Sequence, residues 1–187
     1  MTANVAKLPS DINNLEGIKN ALGAYAKDIK LNLSSVLREA PESGLSMKQI
    51  AGIALSSAYA TKDANIIAGI EGEFAGDFEA HELEAVKAAT TIMAMNNIYY
   101  RFLHLVSGED YGRMPAGLRM NVIGNPGIDK IDFELYSLAV SAINGCGMCI
   151  DAHVAQLEKA GVSKSGVQHS IKISAVINAA AQAFAIN

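Results

Sequence analysis

The chain has 187 residues, half of them hydrophobic, with no tryptophan and a formal net charge of -4. That length can bury a real core as one domain or two small ones, and apolar content carried by alanine and unbranched side chains favours packed helices over sheets. A weakly acidic chain without a basic run argues against a nucleic-acid partner and leaves a protein or a small molecule.

Residues 11–26 place Ile12, Leu15, Ile18, Leu22 and Tyr25 on one side at helical spacing. Ile29, Leu31, Leu33 and Val36 extend the pattern before Pro41. Ser46 and Gln49 form a capping box ahead of Ile50, Ile53, Ala54 and Leu55. Residues 65–74 form a further short helix stopped by Ala75-Gly76-Asp77, and 79–105 form a long proline-free one with acidic residues at its front. Residues 107–130 hold five glycines and two prolines, which predicts a long ordered crossing of the kind that carries function or divides halves. Asp129 or Asp132 can cap the next helix through Phe133, Leu135, Leu138, Ala139 and Ile143, and Asn144-Gly145 ends it. A helix from Cys146 to Lys159 follows, with Gly161 as its stop. Ser163 opens the last helix, apolar nearly all round from Ile171 to Ile186, which asks for burial in the core or against another subunit.

No segment alternates with period two, and Pro9, Pro41, Pro115 and Pro126 all fall between the predicted helices, so the expected fold class is all-α. An offset of 85 residues sets Ala54-Leu55-Ser56 on Ala139-Val140-Ser141 and Lys87 on Lys172. It also places Gln49, Thr61, Ala64 and Ala68 opposite Glu134, Cys146, Cys149 and His153, so a duplicated chain would keep the chemistry in its second half only. The first fifteen residues show no apolar core of signal-peptide length. Residues 175–186 are interrupted by Asn178 and Gln182 and fall short of the roughly 20 residues of a membrane span. The expectation is a cytoplasmic protein without a membrane partner.

The chemistry concentrates between Glu134 and His153. Cys146 and Cys149, the only cysteines, are spaced to close and reopen a small ring, which suits two-electron redox chemistry in a reducing compartment. His153 lies a turn beyond Cys149, on the same face, as a base for a thiol. Glu134 on the preceding segment can orient that imidazole. Zinc is the main rival, because the same residues give three ligands, but His81, His104 and His169 offer no matching fourth. Two cysteines that only fill core are the inert alternative. A thioredoxin fold would need a strand before the cysteine pair, and none is visible. His104, His169, Met93, Met95 and Met120 read as ordinary structural residues, the methionines as core filler. No G-x-G-x-x-G or P-loop is present to hold a nucleotide.

Glu134, eleven residues, Cys146-x-x-Cys149, three residues and His153 together resemble the active-site signature of the alkyl hydroperoxide reductase D (AhpD) proteins, within the carboxymuconolactone decarboxylase-like superfamily. Residues 25–35, Met95-Asn96-Asn97 with Tyr100-Arg101, Leu118-Arg119-Met120-Asn121, Asn125-Pro126-Gly127 and residues 141–145 are similar to the same family, so the likeness covers nearly the whole chain. The resemblance implies an all-helical AhpD-like domain over residues 1–187, internally duplicated, with halves near 20–106 and 107–187, assembled as a homotrimer. It implies an antioxidant enzyme that carries electrons from the dihydrolipoyl group of an acyltransferase to a peroxiredoxin (AhpC). The carrier is kept reduced by a dihydrolipoamide dehydrogenase using FAD and NADH, and this chain itself holds no cofactor or metal. Weak direct alkyl hydroperoxide reductase activity is implied as well. Carried over by motif, Cys149 is the nucleophile, a sulfenic acid with peroxide and the site of a mixed disulfide with the peroxiredoxin. Cys146 is proton donor and resolving thiol, and Glu134 and His153 are the proton relay. One residue departs: the position before the second cysteine is commonly His in this family and is Met148 here. A helix N-terminus can supply the missing thiol activation, and on that physical ground Cys146, expected to be the more open thiol, competes with Cys149 as first attacker. The superfamily also offers a decarboxylase or lactone enzyme using His153 and Glu134 as acid and base. A non-enzyme alternative is a zinc-stabilised regulatory module.

Overall fold

A computed structural model describes residues 12–186, apart from the side chain of Glu109. Asp11 and Pro9 therefore lie outside the described residues, as does most of the stretch that bears on export. Among the described residues there is no strand, and the fold is all-α. The helices are α1 (Leu15–Ala21), α2 (Lys27–Val36), α3 (Met47–Thr61), α4 (Ala64–Phe74), α5 (Ala80–Leu105), α6 (Asn121–Gly124), α7 (Lys130–Asn144), α8 (Gly147–Lys159) and α9 (Lys164–Ala185).

Local chemistry sets most of these boundaries. Gln49 N–H donates to Ser46 Oγ at 3.1 Å and Ser46 N–H donates to Gln49 Oε1 at 3.0 Å, closing the expected box on α3. Asp129, not Asp132, caps α7, accepting from Ile131 N–H at 2.7 Å. Ser163 caps α9 in the same way.

The predicted helix over 11–26 is broken. α1 ends at Ala21, Leu22-Gly23 is extended, and a 3₁₀ turn over Ala24–Ala26 leads into α2. A side chain on Gly23 would strike the Tyr25 ring, so the break depends on that glycine. The break resets the helical phase. Tyr25 and Leu31, expected on the apolar face, are exposed, and the Tyr25 hydroxyl donates to Ala183 O at 2.8 Å.

α3 and α7 pack against each other at the centre, with α5, α8 and α9 around α7, and α4, α5 and α9 around α3. Residues 50–58 and 133–141 are buried without interruption. The axes approach where Gly52 faces the Tyr136 ring; a Cβ there would overlap it. Helix carbonyls accept the hydroxyl protons of some of the buried serines and lower their cost, as Ser56 shows with Ile53 O at 3.0 Å and Ser174 with Ser170 O at 2.9 Å.

α9 differs from its expectation. It buries Ile173, Ile177 and Ala180 against α2, α3, α4 and α7, while Lys172, Ala175, Asn178 and Gln182 form an exposed stripe, so it has a solvent face and needs no second subunit to cover it. The helix starts recur at a spacing close to the 85 residues of the sequence pairing. α3, α4 and α5 start at 47, 64 and 80, and α7, α8 and α9 at 130, 147 and 164, offsets of 83, 83 and 84. The 107–130 crossing is ordered, with a 3₁₀ turn at Glu109–Arg113 and the short α6.

Candidate active site

The site is built at the joint between α7 and α8. Gly145 ends α7 in the left-handed region, φ 68°, which a glycine enters without strain. Cys146 N–H donates to Ser141 O at 3.1 Å, and the chain turns back so that α8 packs on α7. Cys146 is the N-cap of α8: its Sγ accepts from Cys149 N–H at 3.4 Å.

A side-chain network from α5 holds this joint. Asn97 Nδ2 donates to Ser141 Oγ at 2.9 Å, Asn144 Nδ2 donates to Asn97 Oδ1 at 3.0 Å, and Arg101 Nη1 donates to Asn144 O at 2.6 Å. The sequence showed Asn97 and Arg101 only as part of a family likeness, and Asn144 also as a helix stop. Their work is to fix the carbonyl end of α7, from which Cys146 hangs.

The two cysteines are joined as a disulfide, their Cα atoms 5.3 Å apart. Their accessibility reverses the expectation for a thiol at a helix start. Cys146 is 0% exposed because it is folded into the α7–α8 turn, whereas Cys149, three residues on, is 6% exposed and lines a cavity of about 500 Å³.

Glu134 and His153, on α7 and α8, meet as expected: Glu134 Oε2 lies 2.7 Å from His153 Nδ1, and both residues are buried. With the carboxylate ionised, Nδ1–H is the donor. The other ring nitrogen, Nε2, lies 3.2 Å from Met93 Sδ on α5. A thioether is a weak acceptor, so that contact is readily exchanged for a thiol.

Met93 is thus both buried filler and a neighbour of the imidazole. No sequence signal could show the second part, because the contact joins residues 60 positions apart on different helices. Met120, also expected as filler, lines the cavity beside Ile123 and Met148, whereas Met95 does not. Asn96 lines it too, 4% exposed, and its Oδ1 has no hydrogen-bond partner among the described residues. The remaining histidines stay outside the site. His169 Nε2 is 3.1 Å from Val36 O within the core, and His81 and His104 are exposed.

Among the described residues, no group of three or more His, Cys, Asp and Glu side chains is disposed to hold a metal ion. Likewise among them, no helix is long and apolar enough to cross a membrane.

Residues 109–186 match the carboxymuconolactone decarboxylase family. A Coxiella burnetii protein named alkyl hydroperoxide reductase AhpD is 59% identical over 168 residues, which span 90% of this chain and 95% of the relative. The chain belongs to the AhpD family. Relatives of the same name occur in Hyphomonas neptunium, 54% identical over 92% of this chain and 94% of the relative, and in Brucella abortus, 48% identical over 90% and 94%. In this AhpD chain the Met148 side chain is partly exposed and forms cavity wall beside Cys149, adding apolar surface and no proton donor.

Proposed function

We propose that this chain is an antioxidant thiol-disulfide oxidoreductase that takes electrons from a dihydrolipoyl carrier, passes them to the peroxiredoxin AhpC, and reduces alkyl hydroperoxides weakly itself. The observation that carries the reading is that Cys149, paired with Cys146, opens on an apolar cavity beside the buried Glu134–His153 pair.

In the reduced chain, His153 Nε2 leaves Met93 and takes the Cys149 thiol proton, with Glu134 holding Nδ1–H and balancing the imidazolium. The Cys149 thiolate attacks the terminal oxygen of ROOH. The O–O bond breaks, Cys149 becomes a sulfenic acid, and the leaving alkoxide takes a proton to give ROH, with Cys146 as donor. The Cys146 sulfur then displaces water from the sulfenic acid and the disulfide closes. With the peroxiredoxin, the thiolate attacks the partner's disulfide instead, and Cys146 resolves the mixed disulfide. A dihydrolipoyl group restores both thiols, giving two electrons and two protons and closing to its own cyclic disulfide. NADH and FAD act upstream, in a dihydrolipoamide dehydrogenase. The working form in this reading is a cytoplasmic homotrimer of single AhpD-like domains, each a duplication of one helical unit.

The test is NADH oxidation in a reconstituted mixture of dihydrolipoamide dehydrogenase, a lipoyl carrier, this protein, peroxiredoxin and peroxide. The wild type should support it, and Cys146→Ser and Cys149→Ser should abolish it. Glu134→Gln and His153→Gln should each lower it about 10²- to 10⁴-fold, the usual weight of a positioned acid or base. If both serine variants turn over like the wild type, the thiols are not the working groups. An acid-base reaction of the decarboxylase type through His153 and Glu134 would then take precedence.

A further inference from the structure

We infer that Asn96 is the group that receives the hydroperoxide: its side-chain oxygen accepts the O–O–H proton and aims the terminal oxygen at Cys149. This rests on the function proposed above and divides its two half-reactions.

Asn96 is 4% exposed, its Oδ1 has no hydrogen-bond partner among the described residues, and it lines the cavity that Cys149 lines. Buried acceptors are almost always paired, because an unpaired one keeps the full cost of leaving water. Its neighbour Asn97 follows that rule, with both ends of its amide bonded. On α5, Asn96 stands one turn beyond Met93, whose sulfur touches His153 Nε2, and one turn before Tyr100, and all three line the cavity. The orphaned oxygen therefore belongs to a residue that shares its cavity with the reacting sulfur. Of the polar groups that α5 brings to the cavity, the Tyr100 hydroxyl already points to Met120 Sδ at 3.8 Å, which leaves the Asn96 oxygen as the unengaged one.

What the oxygen lacks is a donor. An alkyl hydroperoxide has one strong donor, the terminal O–H, on the oxygen that the thiolate attacks, and an alkyl group for the Met93, Met120, Ile123 and Met148 surface. A dithiol offers only weak S–H donors and a disulfide offers none. The same amide thus assists peroxide attack and is indifferent to the sulfur exchange that recharges the enzyme. In the step itself, Cys149 sulfur bonds to the terminal oxygen, the O–O bond breaks, and the alkoxide leaves as ROH, while Asn96 keeps its bond to the hydroxyl that becomes the sulfenic acid.

Single-turnover oxidation of the reduced protein by tert-butyl hydroperoxide, and reduction of the oxidised protein by dihydrolipoamide, would be timed for wild type, Asn96→Leu, Asn96→Ser and Cys149→Ser. Thermal unfolding would be recorded alongside. Asn96→Leu should slow the peroxide step about tenfold more than the dithiol step, the weight of one hydrogen bond that holds the terminal oxygen in line with the sulfur. It should unfold no earlier than wild type, since it replaces an unpaired polar group with an apolar one of similar shape. Asn96→Ser, with a shorter polar group, should fall between, and it decides the matter if the leucine variant does not fold. Equal loss in both half-reactions, or loss in neither, overturns the assignment of Asn96 while leaving the thiol mechanism in place. Peroxide turnover that survives in Cys149→Ser overturns the proposed function itself.

Discussion

Asp132 sits in the first turn of α7 with its carboxyl half-buried, accepting from Gln49 Nε2 at 2.8 Å across the α3–α7 contact. Burial raises its pKa, the Gln49 bond opposes that rise, and the charges of Asp129 and Glu82 add to it. The folded chain therefore holds this proton to a higher pH than the unfolded chain does. Over the window from the ordinary value of 3.8 up to the raised one, stability falls as pH rises, and the penalty is complete at neutral pH. Asp132→Asn keeps an oxygen for Gln49 and removes the charge. Its melting temperature should exceed the wild type's at pH 7, and the gap should close as pH falls below 3.8. A gap that widened on acidification would reverse the sign and dismiss the idea. At this scale the sequence exposed the residues whose spacing is local or whose types are rare: two cysteines, a histidine one turn on, and a carboxylate in the preceding helix. Met93 and Asn96 stayed hidden because they reach the site from α5, where methionine and asparagine have no periodic or chemical signature of their own. Asp132 was legible as a cap candidate, yet Asp129 took that place because it stands one residue before the helix, where its oxygen reaches a free amide.

Gly52 is where two helices come closest. Alanine there would gain about 1 kcal/mol of helix propensity, but its methyl would enter the ring of Tyr136, which is itself buried and has no open side to turn to. Overpacking of this kind costs about 1–3 kcal/mol, so the clash should win. Gly52→Ala should lower the urea midpoint at unchanged slope; an equal or higher midpoint would show that the helices do not approach this closely. Helix ends were the most legible elements, because Ser46 with Gln49, Ser163, and Asn144-Gly145 act through bonds to backbone only a few residues away. Phase was less so. The apolar run over 11–36 continues through Gly23 in sequence, but the backbone does not, and every position after the break turns to a new direction. The helix starts lie 83, 83 and 84 residues apart rather than 85 because caps and breaks, not alanine-rich interiors that match one another at several offsets, set where a helix begins.

Among the described residues, the main cluster of exposed apolar side chains is not where composition pointed. α9 carries the longest apolar run, yet it buries Ile173, Ile177 and Ala180 against its neighbours. The cluster lies on the last turns of α5, where Ile98 (66% exposed), Phe102 and Leu105 (71% exposed) share one face at spacings of four and three. It continues into the crossing through Tyr111, whose ring meets Phe102 edge-on at 5.3 Å, then Met114 and Leu118. Exposed apolar side chains gathered in this way are the surface that the proposed assembly would cover. In the proposed homotrimer, the contact is between copies of this chain. The same crossing brings Met120 and Ile123 to the cavity, so assembly through this patch would also brace one wall of the site. Ile98→Glu with Leu105→Glu would set charges in the middle of that contact without touching the subunit core, since both side chains are exposed within the subunit. Light scattering at micromolar concentration should then give three chains for the wild type and one for the double variant, with equal helicity by circular dichroism. A wild type of single-chain mass would dispose of the trimer. A double variant that still assembled would move the interface elsewhere. If the variant is monomeric and its peroxide step slows while its helicity holds, the cavity wall depends on assembly, and the methionine-lined pocket is completed only between subunits.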